Sequence, residues 1–361
     1  MKTARVPNFF HDQPLFGLDI GHGSLKVMQL SESLTASKHP HLTGYGTASF
    51  DETAQDNGVI VKPEVIAKAA RELFDHHLIG DITTRRVALA IPTYRTFTRA
   101  LQLPKLKTTS ELAAAVELEA EQYVSLPLDE LYLDYELIRK TEDSTELFVV
   151  AVPRNIVDSY LELSEILGLE AVMIEPTLGS SARLFQLDPQ SDVATVIIDF
   201  GSLSSDISIV DRHTLVTGTV QGGGANFTNA IKEKLHVTPA EAGRMKTRYG
   251  LGVSKKQPEI KAALQPTLDD IIKEIRRMIR YYEERYGTDR PIGQVVTLGG
   301  GANLPGLSDY FTQALRMAVR RTDPWQFINF KGLQPPSDAD KPMYATVAGL
   351  CLAPPREVIP S

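Results

Sequence analysis

The sequence predicts a two-lobed α/β protein, on three observations. The chain is 361 residues long, more than one typical domain, so two lobes are the default expectation. Strand-like apolar runs alternate with helix-spaced ones along its length. One supersecondary unit also occurs twice: an apolar strand ending in aspartate, a glycine turn carrying hydroxyls and a second alternating strand, at residues 15–30 and again at 193–210.

The first unit reads Phe16-Gly17-Leu18-Asp19-Ile20-Gly21-His22-Gly23-Ser24-Leu25-Lys26, a hairpin with a polar tip. A strand at 43–50 follows, then a helix over 63–77 with Val65, Ile66, Ala69, Ala70, Leu73 and Phe74 on one face, then a buried strand at 87–91. Residues 96–168 change character. Phe97, Leu101 and Leu103 alternate with polar residues, Ser110 caps a helix over 110–123, strands follow at 131–139 and 146–152, and a helix over 156–167 closes the segment. This order predicts a compact insert rather than a continuation of the first sheet. Beyond it lie a short strand at 172–174, a helix at 177–185 and the second glycine hairpin, then helices at 226–235, 239–249 and 268–286. A strand at 295–298 runs into Gly299-Gly300-Gly301, with helices at 307–315 and near 344–352, and the proline-rich 334–342 between them reads as a surface crossover. Trp325, Phe327 and Phe330 are expected to pack between crossover and core.

Composition narrows the function. Hydrophobic residues at 42% and charged residues at 23% are ordinary for a globular protein. A net charge of -7 argues against broad attraction to nucleic acid or to an anionic membrane. The lone Cys351 rules out an internal disulfide or a thiolate metal cluster and fits a reducing, cytoplasmic setting. No run approaches the roughly 20 apolar residues of a membrane span. The start, 1–14, lacks a signal-like apolar stretch, and Phe9-Phe10 reads as a packing anchor.

The glycine elements carry the chemistry. In the first hairpin Gly21 and Gly23 let backbone amides turn toward phosphate oxygens, Ser24 adds a hydroxyl donor and Lys26 a point charge. Asp19 at the strand end is placed to hold Mg²⁺ through water, since magnesium keeps most of its hydration shell. His22 is either a pH-sensitive phosphate contact or a solvent-facing turn residue. In the second hairpin Asp199, Gly201, Ser202 and Ser204 repeat the logic. Neither aspartate reads as core. Either hairpin alone is an unremarkable turn; two, roughly 180 residues apart, are a far rarer coincidence. Gly222-Gly223-Gly224 before Asn226, and Gly299-Gly300-Gly301-Ala302-Asn303, add close backbone approach at strand ends and helix N-termini. No Rossmann fingerprint or P-loop sits at a strand-to-helix junction.

The order of these motifs resembles the actin, Hsp70 and sugar-kinase superfamily. Its phosphate-1, connect-1, phosphate-2, adenosine and connect-2 elements are similar to residues 16–30, 174–185, 196–210, 295–307 and 344–352. The resemblance implies an actin-like two-lobed ATPase fold that binds ATP and Mg²⁺, with Asp19 and Asp199 on the magnesium side and Gly300, Gly301 and Asn303 at the adenosine. Glu175, in Ile174-Glu175-Pro176-Thr177, resembles the Hsp70 glutamate that orients the attacking water. An insert placed before connect-1 resembles the 1C subdomain of the FtsA and PilM families. The Gly222–Thr228 stretch and the helix bearing Glu241 and Lys246 resemble both, the latter implying ribose and base contacts where a solvated face is the plain alternative. The short proline-rich end, 353–361, suits the PilM family better than FtsA, whose C-terminus is an amphipathic membrane anchor. Leu103-Pro104 and Glu121-Gln122-Tyr123-Val124-Ser125-Leu126-Pro127 are similar to PilM as well.

On that resemblance, subdomain 1A is expected at 14–95, 171–190 and 342–354, 1C at 96–170, 2A at 191–230 and 291–341, and 2B at 231–290. The implied role is that of a cytoplasmic component of the type IV pilus assembly platform. It would bind the N-terminal tail of a PilN-like inner-membrane protein in a groove between 1A and 1C, with other platform proteins as further partners, no nucleic acid and no direct membrane insertion. ATP would act as a conformational ligand with weak or no ATPase activity. The other readings of the same fold are an FtsA-like filament former and a small-molecule kinase.

Overall fold

The computed structural model describes residues 14–31, 39–106, 108–185 and 193–353. Phe9-Phe10 and most of the proline-rich end lie outside the described residues, as does the side chain of Phe327.

The chain opens as β1 (Phe16–Ile20), β2 (Ser24–Ser31) and β3 (His41–Ser49), an antiparallel meander, then a two-stranded ribbon of β4 (Gln55–Asp56) and β5 (Val59–Ile60). Helix α1 (Pro63–Glu72) has proline at its first turn and leads to β6 (Ile79–Gly80) and β7 (Arg86–Ile91). The insert follows as β8 (Phe97–Pro104), α2 (Thr109–Ala120), β9 (Leu131–Lys140) and β10 (Ser144–Pro153), a sheet ordered β8-β10-β9. The cap of α2 is Thr108 rather than Ser110. Its hydroxyl accepts from Glu111 N and the Glu111 carboxylate accepts from Thr108 N, a reciprocal box that Ser110 has no glutamate three residues on to form.

Helix α3 (Arg154–Leu167) also packs outside the insert. It buries Ile156, Val157, Tyr160 and Leu163 in one cluster with Phe16, Leu18 and Leu89 of the first sheet and Ile66 of α1. Helix α1 packs directly against that face. Then β11 (Glu170–Pro176) joins β7 in parallel, completing a six-stranded sheet in the order β11-β7-β1-β2-β3-β6, and α4 (Thr177–Phe185) follows.

The second lobe repeats the plan. Strands β12 (Ala194–Phe200), β13 (Ser204–Asp211) and β14 (His213–Gln221) form the meander; the third strand, at 213–221, was not read from the sequence. Helices α5 (Gly224–Leu235), α6 (Pro239–Arg248) and α7 (Gln257–Tyr286) cover one face. Strand β15 (Ile292–Leu298), α8 (Leu307–Leu315) and β16 (Val319–Arg321) complete the sheet order β14-β13-β12-β15-β16. Helix α7 starts eleven residues earlier than the expected 268 and runs through Pro266. A proline inside a helix costs about 3 kcal/mol; burial of Ile260, Ala263 and Leu264 in the core N-terminal to it offsets that cost.

Helix α9 (Ala345–Leu350) crosses α4 between the lobes. Gly349 makes the crossing possible, because a Cβ there would run into the Ser180 carbonyl oxygen. Gly17 admits α9 against β1 in the same way, with the Val347 oxygen 2.6 Å from where its Cβ would stand. Around this crossing a third core joins Met28, Leu30 and Tyr45 of the first sheet to Ile197, Val296 and Leu298 of the second. Tyr45, Trp325, Phe330 and Tyr344 fill it as a ring cluster with centroids 5.2 to 5.5 Å apart.

Candidate functional site

A cavity of about 780 Å³ opens between the lobes, and both glycine hairpins face it. In the first, Asp19 on β1 stands across from Lys26 on β2, and Gly21 N donates to Ser24 O at 2.8 Å to close the turn. In the second, Asp199 on β12 stands across from Asp206 on β13, and Gly201 N donates to Ser204 O at 3.0 Å. The turns superpose in logic, but the partner of the strand-end aspartate is a cation in one and a second carboxylate in the other.

That difference sets the electrostatics. Asp19 is 9% and Lys26 8% exposed, paired at 3.5 Å, so Asp19 is more enclosed than its sequence position implied. Burial pushes the Asp199 carboxyl up to about 7, the charges of Asp206 and Asp19 add to this, and Lys26 opposes it. Burial pushes Asp206 up to about 6 against hydrogen bonds from Thr219 and Ser204. Three carboxylates against one ammonium form a cluster short of positive charge. Among the described residues no group of three His, Cys, Asp or Glu side chains could enclose a metal by itself. A magnesium ion that keeps its water and leans on phosphate oxygens needs no such cage, so the donor set fits a cation arriving with a polyanion.

The cavity gathers most of the expected residues: Gly21, His22, Gly23, Ser24, Gly201, Ser202, Ser204, Lys246, Gly299, Gly300, Gly301 and Asn303 all line it with Asp19, Lys26 and Asp199. His22 lies 3.4 Å from Glu52. Lys246 donates to Gly224 O at 2.9 Å, and burial holds its ammonium below the usual lysine range. Asn303 is held at both ends, donating to Ala339 O and accepting from Arg321 at 2.8 Å, so it braces the crossover.

Other expected residues sit elsewhere. Gly222, Gly223, Asn226, Glu175 and Glu241 do not line the cavity. Gly223 packs under the second hairpin, and the first amides of α5 are already used: Gly224 N donates to Gly201 O at 2.8 Å and Ala225 N to Ser202 O at 2.9 Å. The α5 N-terminus thus supports the hairpin turn instead of presenting those donors to an anion. Asn226 accepts from Gly223 N at 3.2 Å, and Glu241 from Thr238 N and Oγ1, both as helix caps. Glu175 makes a bidentate pair with Arg183 at 2.7 and 2.8 Å, and its neighbour Thr177 lines the cavity.

Cavity residues that sequence reasoning did not assign include Glu52, Gln55, Tyr94, Asp206, Asp340 and Met343. Asp206 was visible as the acid closing the second hairpin. The others arrive from the β3 exit, the β7 exit and the crossover, which no local pattern marks. No helix among the described residues is long and apolar enough to cross a membrane.

Comparison with solved structures places this geometry among known folds. A structure described as the PilM-PilN type IV pilus biogenesis complex is 23% identical, with a TM-score of 0.81 over 97% of this chain and 100% of that one. The ethanolamine utilization protein EutJ from Carboxydothermus hydrogenoformans is 16% identical, with a TM-score of 0.56 over 94% and 89%. MreB5 of Spiroplasma citri bound to AMPPNP is 13% identical, with a TM-score of 0.53 over 93% and 94%. These likenesses establish the actin-like fold. The family model for the type IV pilus assembly protein PilM matches residues 17–354, and by that match the chain belongs to the PilM family.

Proposed function

We propose that this PilM-family chain binds Mg-ATP between its two hairpins and uses the bound nucleotide to set its affinity for the N-terminal tail of a PilN-like inner-membrane protein. One observation carries the nucleotide half: two glycine turns with strand-end aspartates face each other across one cavity, where three carboxylates have Lys26 as their nearby ammonium. The turn amides, Ser24 and Lys26 would take the phosphates, Asp19, Asp199 and Asp206 the hydrated metal, and Lys246, Gly300 and Met343 the nucleoside end. The bound metal would supply charge neutralisation of the phosphates.

The partner half rests on family membership and on the likeness to a complex that contains PilN. The subdomain division belongs to this reading, with α3 grouped with 1A. A cytoplasmic place, held at the inner membrane through the partner, follows from it, as does a cleft that works as a switch. Glu175 is retained as a hydrolytic residue only if Arg183 releases it; as they stand, the paired side chains brace connect-1. The test is fluorescence anisotropy of a labelled peptide matching the tail of the PilN-like protein from the same organism, titrated with the full chain with and without Mg-ATP. Saturable binding that shifts at least several-fold with nucleotide supports the reading. Absence of binding in both conditions removes the partner assignment.

A further inference from the structure

Beside the first hairpin stands a pair of polar groups that the nucleotide reading leaves unused. Gln55, on β4, borders the cavity, and its Nε2 is buried with no hydrogen-bond partner. Tyr160, on α3, is 0% exposed, and its hydroxyl also lacks a completed hydrogen bond, although Gln55, Asp19 and Tyr94 are its polar neighbours. Leaving a buried donor unmade is costly, and native interiors rarely keep one without a reason. Two adjacent unmet groups, one bordering the large cavity beside Asp19 and Lys26, point to an oxygen that arrives with the ligand. Around Asp19 and Lys26 that oxygen belongs to the terminal phosphate, because Lys26 is the first hairpin's cation.

We propose that Gln55 reads the terminal phosphate of the bound nucleotide, its carboxamide donating to the oxygen shell of that phosphate, with Tyr160 as the positioning residue that orients the carboxamide. This rests on the nucleotide reading of the cavity. The pair also lies on a route outward. Gln55 pairs with Ile60 across the β4-β5 ribbon, and Ile60 N donates to Ser159 Oγ at 3.1 Å. Ser159 precedes Tyr160 on α3, and α3 begins at Arg154 directly after β10 of the insert ends at Pro153. Gain or loss of one phosphate therefore acts on the helix that roots the insert, a physical basis for nucleotide-dependent partner binding.

The experiment is calorimetric titration of Mg-ATP and Mg-ADP into the full-length wild type, Gln55→Leu, Gln55→Glu and Tyr160→Phe, each first checked for an unchanged melting temperature. Gln55→Leu loses one hydrogen bond to a charged oxygen, expected to weaken ATP about tenfold while ADP stays within about twofold. Gln55→Glu sets a carboxylate against the phosphate and weakens ATP further, again sparing ADP. Tyr160→Phe moves the ATP to ADP ratio in the same direction by less. A wild type that binds ATP, with variants whose ATP and ADP affinities fall in parallel or not at all, overturns the inference and leaves the site standing. A wild type that binds neither nucleotide overturns both.

Discussion

Asp199→Asn removes one charge from the carboxylate cluster and keeps its shape. The step from the ordinary 3.8 to about 7 corresponds to at most about 4 kcal/mol against the ionised form. Part of this is repulsion that Asp206, itself pushed up to about 6, relieves by holding its own proton, so about 2–4 kcal/mol is the expected range. The sign follows from linkage. A raised carboxyl holds a proton in the folded chain that the unfolded chain has already released, so wild-type stability falls as pH climbs from about 4 through about 7. The asparagine variant escapes that loss. Its advantage is smallest near pH 4 and complete by pH 8. With unfolding entropy of about 2.1 cal/mol/K per residue, a chain of this size gains about 3–5 °C in melting temperature at pH 8. Differential scanning fluorimetry of ligand-free protein at both pH values measures it. A variant less stable than wild type at pH 8, or one whose offset does not change with pH, refutes the electrostatic account of the cluster. Added Mg²⁺ and nucleotide should release protons from wild type and fewer from the variant.

Arg183→Ala strands Glu175, whose side chain is only 14% exposed, and should cost about 3–5 kcal/mol, whereas Glu175→Gln, which keeps a hydrogen bond, costs less; urea unfolding separates the two. Gly349→Ala forces α9 away from the Ser180 carbonyl and should lower stability by several kcal/mol and weaken nucleotide binding, because Thr177 of α4 and Thr346 of α9 both line the cavity; melting temperature and titration together report it.

The repeated hairpins were legible because a strand-end aspartate followed by a glycine turn is a local pattern that recurs. Helices with clean apolar spacing were equally plain: residues 307–315 coincide with α8. What stayed hidden depends on long-range packing. The long helix was expected only from 268, and the core contacts of Ile260 and Leu264 explain why α7 starts earlier and passes through Pro266. Helix α3 follows the insert in sequence but is claimed by the larger apolar surface of the first sheet. At the site, backbone hydrogen bonds decided the outcome. Gly222, Gly223 and Asn226 read as anion contacts because the triple glycine precedes a helix, yet the carbonyls of Gly201 and Ser202 already occupy the amides of Gly224 and Ala225. Gln55, on a two-residue strand, and Tyr94 and Asp340, outside the strands and α-helices, reach the cavity without a periodic signature.

The central claim is that the two hairpins hold Mg-ATP together. Because Asp19 is buried against Lys26, asparagine at both positions is preferable to alanine, which would leave that ammonium in a void. Calorimetric titration of Mg-ATP into wild type and into the Asp19→Asn, Asp199→Asn double variant is the direct measurement. One-to-one binding in wild type, lost in a double variant that still melts cooperatively, is the predicted result; equal affinity in both proteins would contradict it.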